Sequence, residues 1–198
     1  MKPDKFDQKF GKAWGRSGGT NALKLFPKLA QMPLPIQRHD DPFLPWSKAI
    51  IDATRDLLCA YIFDMASYLA LGAAGAIALE RAIAYANGGD ETLTILHAPF
   101  VGSGFVAAAE AFNADAVTLV SENSYADADR IAQYNQAGVG VFLLEESGSL
   151  TGSIVNDWLP TGTNLKIWLV DSKIPYASSG DDFAERARAA LQSWRYTP

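Results

Sequence analysis

Two kinds of stretch alternate along the chain: short continuous apolar runs, and longer segments whose apolar residues recur every three or four positions. The short runs are Leu58–Phe63, Thr92–Ala98, Ala116–Ser121, Gly140–Leu144 and Leu165–Val170. Unbroken apolar runs of this length predict strands covered on both faces. The longer segments predict helices. One runs from about Trp46 to Leu57, with Trp46, Ile50, Ala53 and Leu57 on one face, and another from about Ala66 to Tyr85, with Tyr68, Leu71, Gly75, Leu79 and Ile83 in a stripe. Gly102-Ser103-Gly104 opens a third, with Phe105, Ala108, Ala109 and Phe112 at helical spacing, and a fourth lies near Ala126–Gln136. A last helix follows Ser178-Ser179-Gly180-Asp181 and carries Phe183, Ala187, Ala190, Leu191 and Trp194 on one face. Strands alternating with helices at this spacing predict an α/β protein built on a parallel sheet.

The two ends of the pattern are less regular. Phe6, Phe10 and Trp14 suit a short amphipathic helix, which Gly15-Arg16-Ser17-Gly18-Gly19 breaks. From Asn21 to Asp41 the prolines at 27, 33 and 35 interrupt brief apolar runs, so residues 1–45 read as an irregular arm on a single domain spanning 1–198. After Glu145 the rhythm falters, and residues 146–163 offer only a weak apolar patch at Ile154, Val155, Trp158 and Leu159. The strand Leu58–Phe63 is expected to present Ile62 or Phe63 at its C-terminal end. That is the end where α/β proteins place their chemistry, and neither residue is charged.

Composition narrows the classes. With 198 residues, 48% of them hydrophobic, the chain can bury one substantial core. Its net charge of −5 is spread along helix faces, without the basic stripe that nucleic acid requires. The longest charge-free apolar run, Met65–Leu79, is too short and too rich in small residues for a membrane span, and the N-terminus lacks a secretory apolar core. Cys59 is the only cysteine, which excludes an intrachain disulfide and fits a reducing compartment; within an apolar strand it reads as a small buried hydrophobe. The expectation is a cytoplasmic protein without nucleic-acid or membrane partners.

Candidate chemistry is sparse. His97 closes a predicted strand and could act as a general base, although sequence places no acidic residue to orient it. Glu122, Glu145 and Glu146 follow neighbouring strands and could share a pocket. Gly102, Ser103 and Gly104 at a helix start offer backbone N–H groups to an anion, and Lys173 with Ser172 at a strand end offers a cation. His39 and His97 are too far apart in sequence to give metal-ligand spacing, so no metal site is expected.

Five segments taken together resemble a known family. KAIIDATRDLLCAY (Lys48–Tyr61), LGAAGAIALERAIAY (Leu71–Tyr85), ADAVTL (Ala114–Leu119), GVGVFLL (Gly138–Leu144) and YASSGDDFAERARAA (Tyr176–Ala190) resemble, in order, the bacterial type of orotidine 5′-phosphate decarboxylase. The resemblance implies a (β/α)8 barrel that works without a cofactor, commonly as a homodimer. It implies a lysine at the end of the second strand, an Asp/Lys array after the third, and an arginine gripping phosphate near the eighth. Here Ile62 stands where the family reads the lysine of A-Y-K-P-N, and His97-Ala98-Pro99-Phe100-Val101-Gly102 stands on D-A-K-R-G-D. The aspartate of the first strand has no evident counterpart, and the phosphate arginine falls on Lys173.

The chain is also shorter than the family, with no clear sixth and seventh strands between Glu145 and Leu165. Five strands cannot close a barrel whose tilt and shear are tied to strand number. Either Asn21–Phe26 and Ser153–Leu159 supply extra strands, or an open edge awaits a partner. The expected fold is therefore TIM-barrel-like, with an incomplete or irregular parallel sheet. Three functions follow: a catalytically degenerate relative that binds a phosphorylated small molecule or nucleotide weakly; an active decarboxylase or phosphosugar lyase rebuilt around His97, Glu122, Glu145 and Lys173; or an interaction protein that oligomerises through open sheet edges.

Overall fold

In the computed structural model the five expected strands are joined by two more into a closed ring, each strand hydrogen-bonded to the next and the seventh to the first. The structure describes residues 5–89, 91–98, 112–119, 131–134, 136–144, 149–152 and 165–194. The strands are β1 (Asn21–Leu25), β2 (Ala60–Asp64), β3 (Leu93–His97), β4 (Ala116–Leu119), β5 (Gly140–Leu144), β6 (Ser149–Gly152) and β7 (Leu165–Leu169). β1 to β5 run parallel, as do β7 and β1, whereas β6 runs antiparallel to both of its neighbours. The barrel is TIM-like in its helix-covered parallel strands and irregular in its reversed strand.

Strand alternation divides the core in two. Ala22, Ala60, Ile62, Leu93, Ile95, Ala116, Phe142 and Ile167 pack together with Phe6, Phe10 and Ala13, and so fill the lumen. Their strand neighbours Leu23, Leu25, Tyr61, Phe63, Leu96, Val117 and Val141 pack outward. The helices there are α3 (Phe43–Thr54), α5 (Gly72–Asn87) and α6 (Phe183–Ser193). Both faces of β2, β3 and β4 are thus dry, which is why these strands read as continuous apolar runs.

Helix α1 (Lys5–Ser17) closes the N-terminal end of the barrel as a floor. Phe6 meets Phe142 edge to face at 6.0 Å. Lys9 Nζ lies 2.6 Å from Asp115 Oδ2 and donates to Asn87 Oδ1 at 2.7 Å. At the end of the helix, Arg16 donates to the carbonyls of Leu58 and Glu91, both at 2.9 Å, and to that of Arg55. A half-buried guanidinium with several planar donors suits these loop carbonyls.

Several sequence expectations are corrected. Residues 21–25 are not part of an irregular arm but supply the extra strand that was the alternative for Asn21–Phe26: they form β1, since Ala22, Leu23 and Leu25 have buried places on a closed sheet. The prolines act only afterwards, around the short helix α2 (Leu34–Gln37). β2 runs one residue further than expected, so its last residue is Asp64 rather than Ile62 or Phe63. The long helix expected over residues 66–85 is two helices, α4 (Met65–Leu69) and α5, separated by a turn at Gly72 with φ of +60°. The Gly/Ser-rich stretch after Glu145 yields β6, a strand that its composition hid. Because the described strands form a closed ring, the open edges expected for an interaction protein are paired. The expected helix at Gly102–Gly104 and the patch at Ser153–Leu159 lie outside the described residues.

Candidate functional site at the barrel mouth

The parallel strands all deliver their last residues to the end opposite α1. The inward positions there are Lys24 on β1, Asp64 on β2, His97 on β3 and Thr118 on β4, each two residues beyond a lumen-filling Ala or Ile. The barrel interior therefore changes from wholly apolar to polar within one layer of side chains. Registers place Asp64 opposite His97 and His97 opposite Thr118.

The polar layer is internally bonded. Lys24 Nζ lies 2.5 Å from Asp64 Oδ2, an ion pair that leaves the lysine side chain 30% exposed and the aspartate 13%. The other oxygen, Oδ1, accepts from Ser67 N and Ser67 Oγ, both at 2.9 Å, so Asp64 also caps α4. The Asp-x-x-Ser spacing of Asp64 and Ser67 explains this local geometry: a short carboxylate just before a helix meets its unpaired N–H groups. Burial pulls the Asp64 carboxyl upward, but bonds from Lys24 and Ser67 outweigh it and hold the group below the usual carboxylate range.

His97 Nδ1 lies 2.6 Å from Thr118 Oγ1. Burial, joined by the nearby Lys24 charge, lowers the imidazole below its ordinary value, while Asp64 opposes the shift. The ring is accordingly neutral near pH 7, with one nitrogen fixed by the threonine.

Beside this layer, where β1 and β7 adjoin, a cleft of about 580 Å³ is lined by Phe26, Lys28, Gln31, Ser172, Lys173, Tyr176 and Ser179. Tyr176 fixes its wall. The phenol donates to Phe26 O and accepts from Lys28 N, both at 2.8 Å, and the ring stacks on Trp46 at 5.3 Å between centroids. Lys28 Nζ stands 4.9 Å over the Phe26 ring. Lys173 N is held by Asp171 Oδ1 at 2.8 Å.

Of the sequence candidates, Ser172 and Lys173 line this cleft and His97 lies in the lumen layer. Glu122, Glu145, Gly102, Ser103 and Gly104 lie outside the described residues. Lys24 and Asp64 were not anticipated as site residues. Their signal is the period of two: an Ala or Ile facing the lumen followed two places later by a charge at a strand's C-terminal end. Cys59 is buried in the lumen cluster, and burial pushes its thiol up to about 12, so it is a structural residue as expected. Among the described residues no group of three or more metal-ligating side chains occurs, and no helix is long and apolar enough to cross a membrane.

No family model matches the chain. Individual proteins do. The chain is 43% identical over 79 residues to the orotidine 5′-phosphate decarboxylase of Herpetosiphon aurantiacus, a match covering 40% of this chain and 30% of that protein. It is 44% identical over 57 residues to the corresponding enzyme of Thermomicrobium roseum, covering 29% of this chain and 20% of the relative. Among solved structures, the Plasmodium berghei orotidine 5′-monophosphate decarboxylase superposes with a TM-score of 0.56 at 13% identity, over 70% of this chain and 60% of that one. The Leishmania donovani decarboxylase superposes with a TM-score of 0.54 at 20% identity, over 70% and 52%. The matched stretches thus span less than a third of these curated relatives and between half and two thirds of the solved chains.

Proposed function

We propose that this chain, a relative of the orotidine 5′-phosphate decarboxylases in sequence and in barrel architecture, has left decarboxylation and binds a small phosphorylated molecule at the mouth of its barrel. The observation that carries the reading is the cleft in which Lys28 and Lys173 join Ser172, Ser179 and an aromatic wall. Cations, hydroxyls and an aromatic face beside an apolar barrel are the elements of an anion-bearing ligand site. Lys173 is a point charge without the bidentate reach of arginine, so the affinity is modest.

Loss of the decarboxylase reaction is supported by Ile62. It packs in the lumen, two residues below the mouth, at the position where the resemblance calls for a lysine. Cofactor-free decarboxylation relies on preorganised charge, and a sec-butyl group supplies none.

The test is titration with ribose 5-phosphate and with inorganic phosphate, followed by ³¹P NMR, alongside an assay with orotidine 5′-monophosphate. Binding weakened about tenfold (~1.4 kcal/mol) by Lys173→Ala, with no turnover above background, supports the proposal. Turnover well above background that disappears in Lys173→Ala would overturn it.

A further inference from the structure

The cleft reading leaves the lumen layer without a task. Three features of that layer belong together. A neutral imidazole, His97, is pinned at Nδ1 by Thr118, leaving Nε2 without a hydrogen bond among the described residues. A lysine ammonium, Lys24, is held from β1 by Asp64. Asp64 is itself anchored by two bonds from Ser67, so the ammonium is held by a fixed partner. An unprotonated imidazole beside a positioned cation is the minimum a site needs to take a proton from carbon and stabilise the charge that results.

We infer that Lys24, Asp64 and His97 form a proton-transfer site acting on a carbonyl compound whose phosphate occupies the neighbouring cleft. His97 Nε2 takes a proton from the carbon beside the carbonyl. The C–H electron pair becomes the C=C bond of an enolate, and the carbonyl π electrons move to oxygen, where the Lys24 ammonium balances the charge. The imidazolium then returns a proton to carbon, so no oxidant, reductant or second substrate is required. Asp64 and Thr118 are positioning residues: they hold the ammonium and the ring. Among the described residues the charged groups acting on His97 are Lys24 from β1 and Asp64 from β2.

The inference rests on the phosphate reading for substrate placement, and one experiment separates the two. Acetol phosphate in D₂O serves as the probe, with carbon-bound deuterium followed by ¹H NMR and binding by ³¹P NMR. The expected result is protein-dependent exchange that falls at least about a hundredfold in His97→Gln, the lower end of general-base contributions, while binding persists. Lys24→Arg, which keeps the charge and spares the fold, is expected to retain part of the exchange that Lys24→Met loses. Asp64→Asn is expected to move the acidic limb of the pH profile, where His97 loses its proton, to lower pH, because the Lys24 charge then acts on His97 uncompensated; a purely structural role would not move it. Bound probe with exchange no faster than in buffer, or full exchange in His97→Gln, overturns the inference and leaves the cleft reading standing. Absence of ³¹P-detected binding overturns both.

Discussion

Gly140 lies directly against the ring of Phe6: a Cβ placed on this glycine would fall 2.5 Å from Phe6 Cε2. The first residue of β5 is thus bare so that the floor helix can press an aromatic ring onto the strand. The consequence is a sharp sterically based prediction. Gly140→Ala should cost about 1–3 kcal/mol in chemical denaturation, the usual range for overpacking a dry core. Phe6→Leu in the same chain should recover part of that loss, whereas the two effects would simply add if the ring were not the obstacle.

The α4–α5 corner makes a still stricter demand. A Cβ on Gly75 would lie 1.8 Å from the backbone carbonyl oxygen of Tyr68, an atom that cannot rotate away. Gly75→Ala should therefore destabilise by about 3 kcal/mol or more, at or beyond the upper end of overpacking costs. Circular-dichroism melting of the variant beside Gly72→Ala, where a Cβ meets open space but the φ of +60° is strained, would rank the two; the Gly75 change should be the worse.

Lys9 and Asp115 form an ion pair whose side chains are only 7% and 9% exposed. Lys9→Met should cost about 3–5 kcal/mol, because the buried Asp115 side chain loses its cationic partner. Combining it with Asp115→Asn should restore much of the loss, since Thr94 N and Thr94 Oγ1 can still donate to the remaining oxygen. Urea denaturation of both single variants and the double variant closes the cycle.

Two mouth residues contribute to the response to acid, in different windows. The His97 imidazole is lowered in the folded chain by burial and by Lys24, so its protonation favours unfolding. Its stabilising effect is complete above the ordinary histidine value of about 6.5 and is lost as pH falls through the lower folded value. Asp64 is likewise lowered, relative to about 3.9 unfolded, so its contribution is complete above that value and is lost only in stronger acid. Denaturation at pH 7.5 and pH 5.5 should show a decline in the parent that His97→Gln abolishes and Asp64→Asn leaves in place. An equal decline in His97→Gln would contradict the assignment.

Tyr176 ties the cleft wall to two backbone atoms of the β1 exit, at Phe26 O and Lys28 N. Tyr176→Phe should leave the ring stacked on Trp46 but release both bonds. The expected outcome is a small loss in melting temperature together with weaker phosphate binding in the ³¹P titration. Unchanged binding would show that the wall does not order the lysines.

The central strands and the outward core were legible in the sequence because β2, β3 and β4 are buried on both faces, and runs such as Leu93–His97 and Ala116–Leu119 are too short and too continuous in apolar residues for an amphipathic helix. β1 was obscured because Lys24 interrupts a short apolar run and Pro27 follows at once; only ring closure gives residues 21–25 their partners. β6 was obscured by its Ser-Leu-Thr-Gly composition, which has no local preference strong enough to announce a strand. At the site, single residues such as Lys173 and His97 stood out by chemical type. The Lys24–Asp64 pair did not, because 40 positions separate the two and only the register of β1 on β2 brings them together.

The reversed direction of β6 decides where variation in chain length can be absorbed. Gly152 and Leu165 pair with each other at the same end of the barrel as Asn21 and Gly140, away from the mouth. The chain thus leaves β6 and enters β7 at the end of the barrel that α1 covers, and not at the mouth. A reporter peptide or an affinity handle placed there would leave the entrance clear, and natural lengthening at that junction would burden assembly of the floor before it touched recognition.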